Sequence, residues 1–183
     1  HYSNGGCLSG FVVIPMTVIS ISTILFFLLS NIQPATSSAR VQNCMGGNSS
    51  TFVSPYDTYT LTQGPHGFSN GHRANDIAAG KGAVIYSPIN GIVTQLFHDG
   101  LGNPVLVIEN EIYQITMLHG IYSVQINEMV DAGQAIGFES NQGNTTDMQG
   151  NSCRNRDCGY HTHLNVYDKR LGGNVNPLDL LDP

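Results

Sequence analysis

His72 and Asp76 stand four residues apart in GHRANDIA, just after the Gly- and Asn-containing stretch GPHGFSNG. A neutral imidazole and a carboxylate are both good zinc ligands, and this spacing lets a chain passing from loop into strand present them to one ion. A second pair, His161 and His163, brackets Thr162 and runs into Leu164, Asn165 and Val166. On a strand, alternation sends Thr162, Leu164 and Val166 to one face and His161, His163 and Asn165 to the other. Two imidazoles side by side on the less apolar face suit metal binding and proton transfer. His119 ends the apolar run in TMLHG and, taken alone, reads as a strand-end histidine facing water. His1, His66 and His98 have no comparable setting; His66 is near enough to His72 to compete as a ligand, and ranks below it.

These residues need a scaffold, and the chain from Thr51 onward supplies short β-branched runs separated by Gly, Asn and Pro. The runs are residues 83–86 (AVIY), 91–97 (GIVTQLF), 104–108 (PVLVI) and, after a turn at Asn110 and Glu111, 112–118 (IYQITML). Turn signals at this spacing predict a mainly β domain. No window after Thr51 carries a 3.6-residue apolar period over three turns, so helix is confined to about a turn, at residues 177–181 (PLDLL).

The order of the motifs is more specific than any one of them. H-x-x-x-D, a hairpin-rich stretch ending in a strand-terminal His, then G-Y-H-x-H and an N-P-L-x-x-L ending resembles the lysostaphin-type zinc metallopeptidases that cut peptidoglycan cross-bridges. The resemblance covers residues 64–181 and extends to DIAA followed by Gly82, to Ser87-Pro88 with Gly91 opening a strand, to Gly102-Asn103, and to VDAGQ with Ile136-Gly137. It implies a compact antiparallel β-sheet, sandwich-like peptidase domain with a groove. It also implies zinc (Zn2+) held by His72, Asp76 and His163, with His119 and His161 as the non-ligand histidines facing the water and the scissile carbonyl. Three protein ligands leave tetrahedral zinc a fourth corner for water, whose pKa falls to about 7. Two free imidazoles can then take that proton and stabilise a developing oxyanion. Met117 and Gly120 stand where the family usually carries Tyr and Leu, and the Cys153–Cys158 loop looks like an addition that narrows substrate access. By position alone, Asn165, Tyr160 and Tyr113 are candidates for reading the substrate.

The first 39 residues carry no Lys, Arg, Asp or Glu; every charged residue lies from Arg40 onward. Residues 11–29 (FVVIPMTVISISTILFFLL) would reach roughly 28 Å as a helix, close to the ~30 Å hydrocarbon core. The expectation is a single transmembrane α-helix within residues 1–30, a Ser/Asn/Gly-rich linker over 31–50, and the peptidase domain over 51–183. A secretory signal peptide is the competing reading, with Ser37-Ser38-Ala39 as its cleavage site, but the apolar run exceeds the usual ~7–15-residue signal core. Cys153 and Cys158 bracket CRNRDC, a spacing that can close a disulfide hairpin of the kind that persists in oxidising surroundings. A metal pair would need a second Cys pair that does not follow. A disulfide there places the domain on the extracytoplasmic side of the membrane, and Cys44 has no evident partner.

A net charge of -6, with Lys169-Arg170 the only adjacent basic pair, excludes a nucleic-acid partner. The expected partners are peptidoglycan peptides and, through the one helix, membrane lipid. Two functions follow: a membrane-anchored zinc endopeptidase cleaving peptide cross-links of peptidoglycan, or a structural or accessory subunit of a larger membrane complex that uses a peptidase-like domain as a cap or wall-binding module.

Overall fold

The computed structural model describes residues 49–181. The expected membrane helix and most of the linker lie outside the described residues; among the described residues no helix is long and apolar enough to cross a membrane. Eleven strands follow in chain order: β1 Thr60–His66, β2 Ala74–Ala78, β3 Val84–Tyr86, β4 Gly91–His98, β5 Pro104–Glu109, β6 Tyr113–Leu118, β7 Ile121–Tyr122, β8 Met129–Val130, β9 Ala135–Phe138, β10 Thr162–Asp168 and β11 Gly173–Val175. Helix among them is confined to single 3-10 turns at Phe68–Asn70 and Pro177–Leu180, the second where the sequence places it.

Eight strands form one sheet in the order β1-β2-β10-β6-β5-β4-β8, with β11 also on β10; β3, β9 and β7 form a second. Every pairing in both sheets is antiparallel. β6 shows the alternation of a sheet packed mainly on one face, burying Tyr113, Ile115 and Met117 and leaving Gln114, Thr116 and Leu118 half-buried. β5, between β4 and β6, buries Val105, Leu106, Val107 and Ile108 together. Ile77, Ile85, Val93, Ile136, Leu164 and Val166 join Leu106, Ile108, Ile115 and Met117 in one core.

Several polar groups inside the core are partnered, as burial demands. Glu139 is buried and accepts from the N–H groups of Ala79 at 2.7 Å and Gly80 at 3.0 Å, fixing the exit of β2. Asn110 folds the β5–β6 turn, accepting from Ile112 N and Tyr113 N while donating to Asn90 O. Tyr56 reaches in from ahead of β1, its hydroxyl 2.6 Å from Thr162 Oγ1.

Register brings the chemistry together. β10 pairs with β2 so that His163 lies directly opposite Asp76, and with β6 so that His163 also lies opposite Leu118, one residue before His119. Directly opposed residues on antiparallel strands hold their Cβ atoms ≈ 4.5–5.5 Å apart, so two inner strands present the imidazole and carboxylate as neighbours.

Candidate metal centre

His163 Nδ1 lies 3.0 Å from Asp76 Oδ1 and 3.1 Å from His66 Nε2, and His66 Nε2 lies 3.3 Å from the same Asp76 oxygen. One ligand atom from each of the three lies within 4.8 Å of the others. His66 ends β1, and the chain returns to β2 through a tight loop whose Gly67 and Gly71 adopt φ +80° and +74°, a left-handed backbone that glycine takes at no steric cost. Its Nδ1 lies 2.9 Å from Gly64 O. A carbonyl can only accept, so Nδ1 carries a proton and Nε2 is the nitrogen turned toward Asp76 and His163. Ligand histidines are commonly oriented this way, by a hydrogen bond on the far nitrogen.

His72, named by the resemblance as a ligand, is brought to the other side of the same imidazole, its Nδ1 3.1 Å from His163 Nε2. Burial and the neighbouring His163 and His66 push its pKa down, which keeps it neutral near pH 7. The four residues thus form a row, His72, His163, then Asp76 and His66 together. Two imidazole nitrogens and one carboxylate oxygen are a donor set that zinc accepts. Burial pushes the Asp76 carboxyl up, but the hydrogen bond from His163 and the nearby His161, His163 and His66 outweigh it and hold it below the usual carboxylate range. It therefore stands as an anion near neutral pH.

His161 and His119 lie on the opposite flank of Asp76. His161 Nε2 is 3.5 Å from Asp76 Oδ2, and the two histidine rings are 4.6 Å apart. His119 is buried rather than water-facing, because residues 140–142 fold over it: Ser140 Oγ donates to His119 O, and His119 Nδ1 lies 2.8 Å from Gln142 O. Its backbone is left-handed, φ +71°, uncommon outside glycine. Burial, then the neighbouring His161, lowers its pKa to about 4, against the opposing pull of the Gln142 carbonyl.

The centre opens onto a groove of about 610 Å³ lined by Thr62, Gln63, Asp76 and His161, with residues 146–150 and 158–160 as its far wall. The expected disulfide joins Cys153 to Cys158 and closes the hairpin that supplies part of that wall. Tyr160 lines the groove, its hydroxyl donating to Asp157, which also pairs with Lys81. The other two suggested substrate readers are engaged elsewhere. Tyr113 is a core side chain in edge contact with Phe52, and Asn165 accepts from Arg73 N and donates to Asn174.

Residues 70–177 match Peptidase family M23. The chain belongs to that family. Solved structures agree on the lysostaphin-like fold. A zinc containing peptidase from Vibrio cholerae aligns with a TM-score of 0.55 at 26% identity, over 70% of this chain and 39% of that one. The antimicrobial peptidase lysostaphin from Staphylococcus simulans aligns with a TM-score of 0.53 at 17% identity, over 73% of this chain and 55% of that one. Helicobacter pylori Csd3 aligns with a TM-score of 0.50 at 21% identity, over 72% of this chain and 34% of that one. This M23 chain spans less than two thirds of each of these three. A search of curated proteins gave no match. The motif order H-x-x-x-D, strand-end His and H-x-H thus identifies the family, while the place of His66 beside Asp76 comes from the loop that returns it.

Proposed function

We propose that this chain is a zinc endopeptidase that cleaves peptide cross-links of peptidoglycan. The observation carrying the proposal is the clustering of His66, Asp76 and His163, with Asp76 lining an open groove and His161, beside His119, across the same carboxylate. The reading of His66, Asp76 and His163 as the zinc set rests on their mutual distances; that of His72 in place of His66 rests on the H-x-x-x-D spacing and its contact with His163. Zinc bound there supplies an activated water and a Lewis acid for the scissile carbonyl.

The chain's own residues do the rest. The groove receives an extended peptide and places its carbonyl beside Asp76 and His161. Gly159 O, 2.9 Å from His161 Nδ1, and Gln142 O on His119 Nδ1 each require an N–H there, so both neutral rings keep Nε2 as a proton acceptor. One ring accepts the proton of the attacking water at Nε2. As an imidazolium it then donates from that atom to the developing oxyanion or the departing amine, the acid half of the same exchange. Asp76 Oδ2 lies 3.5 Å from His161 Nε2, so the carboxylate faces the atom that exchanges the proton.

The setting proposed for this chemistry is extracytoplasmic, with residues 11–29 as the anchor; the Cys153–Cys158 disulfide supports an oxidising compartment. The test is zinc stoichiometry together with fragment release from purified peptidoglycan. Cleavage by wild type, and its loss in His161→Ala with zinc retained, is expected. Zinc-loaded protein that releases nothing from any cross-linked wall overturns the proposal and favours the accessory-subunit role.

A further inference from the structure

The two non-ligand histidines are held by backbone carbonyls from separate loops: Gln142 O for His119 and Gly159 O for His161. One side chain ties those loops together. Asn141 Nδ2 donates to Arg156 O and to Cys158 O, both at 2.8 Å, so the amide grips the disulfide hairpin just before Gly159. Its own backbone lies between Ser140, whose hydroxyl donates to His119 O and whose carbonyl accepts from His161 N at 3.4 Å, and Gln142. Thr145 Oγ1 donates to Asn141 O, closing the turn from the other side. Gly159 leaves no slack: a Cβ there would sit 2.9 Å from both Cys153 Sγ and Thr146 O.

We propose that Asn141 is the positioning residue that sets the tautomer and spacing of the His119–His161 pair, through the turn at 140–142 and the disulfide hairpin. Its role in hydrolysis rests on the peptidase reading above; its role in tautomer selection does not. Both of its donated bonds come from one NH2 group, which an aspartate cannot replace. A carboxylate in the same place would face two carbonyl oxygens with no proton to share.

The test uses the full chain with histidine 15N-labelled. Long-range 15N–1H correlation spectra, which distinguish Nδ1–H from Nε2–H, are recorded zinc-loaded and zinc-free. Wild type is expected to show Nδ1–H for both rings, and Asn141→Asp and Asn141→Ala a loss of that single tautomer at both. The Cys153→Ser/Cys158→Ser variant loosens only the hairpin and is expected to perturb His161 while leaving His119 on Gln142, so an Asn141 variant that fails to fold does not end the test. On a wall substrate the Asn141 variants are expected to lose roughly 10- to 100-fold in kcat, the scale of a small misplacement of catalytic groups, with KM and zinc content near wild type. Folded Asn141 variants that keep the Nδ1–H tautomer at both rings overturn the proposal, whatever their activity. Wild type that shows Nδ1–H at both rings yet cleaves nothing removes the peptidase reading and leaves the tautomer assignment standing.

Discussion

Replacing Tyr56 by Phe and Thr162 by Val, singly and together, measures how far the strand carrying the H-x-H pair depends on a residue more than a hundred positions away. Thr162 sits between His161 and His163 and is fully buried; Tyr56 is 3% exposed. The two hydroxyls are 2.6 Å apart, and burial, with the Glu139 charge adding to it, raises the pKa of the Tyr56 phenol. Either hydroxyl can donate to the other, so the pair shares one buried hydrogen bond. Tyr56→Phe removes that bond and leaves the buried Thr162 hydroxyl unpaired, an expected loss of about 1–3 kcal/mol. Thr162→Val removes the other partner and costs about 1–2 kcal/mol. Once the phenol hydroxyl is gone, Thr162 has little left to lose. The double variant should therefore be about as stable as Tyr56→Phe alone, a coupling of about 1–2 kcal/mol. With a urea m-value of about 2 kcal/mol/M, Tyr56→Phe lowers the unfolding midpoint by about 1 M. Urea unfolding of the oxidised protein followed by circular dichroism reads all four corners of the cycle. Penalties that add to within about 0.3 kcal/mol would refute the reasoning, because the hydroxyls would then act as independent groups.

Three further outcomes are expected. His66→Ala and His72→Ala, compared for bound zinc by elemental analysis, should lose the ion in the first and retain it with weakened affinity in the second; the reverse pattern assigns the third ligand to His72. Asp168 is buried and held below the usual carboxylate range, chiefly by its hydrogen bonds from Arg170. A depressed folded pKa contributes stability that is complete above the unfolded value near 3.9 and is lost as pH falls through the folded value. Asp168→Asn should accordingly flatten the acid limb of thermal stability below about pH 4, and an unchanged limb would count against this assignment. Removing the disulfide frees a loop with a sequence separation of 5, for which chain entropy gives about 2 kcal/mol. The midpoint of denaturant unfolding, oxidised against the double Cys→Ser variant, checks it.

The elements readable in the sequence were those whose local chemistry is decisive. The β-branched runs became β3 to β6 within a residue or two at each end, and Pro177, following an Asn176 whose side chain accepts from Leu178 N, gave the expected turn. Asp76 and His163 were legible as motif members, and the antiparallel register of β2 and β10 explains why they meet. His66 ranks low in the sequence because nothing in the nine intervening residues announces that two left-handed glycines turn the chain back onto Asp76. His119 read as water-facing because the turn at 140–142 that covers it lies more than twenty residues downstream. Tyr113, a candidate substrate reader by position, was claimed by the core, since alternation along β6 puts it on the same face as Ile115 and Met117.

Asp76 and His163 ride on adjacent inner strands, whereas the far wall of the groove consists of residues 146–150 and the disulfide hairpin. A slip of one residue between β2 and β10 would turn His163 into the apolar interior and destroy the pair outright, so the reactive floor tolerates no gradual adjustment. The wall is free of that restriction. Insertions, deletions or exchanges there can reshape what enters the cleft while the donors keep their separation, which makes that hairpin the natural place to graft new selectivity onto an unchanged catalytic base.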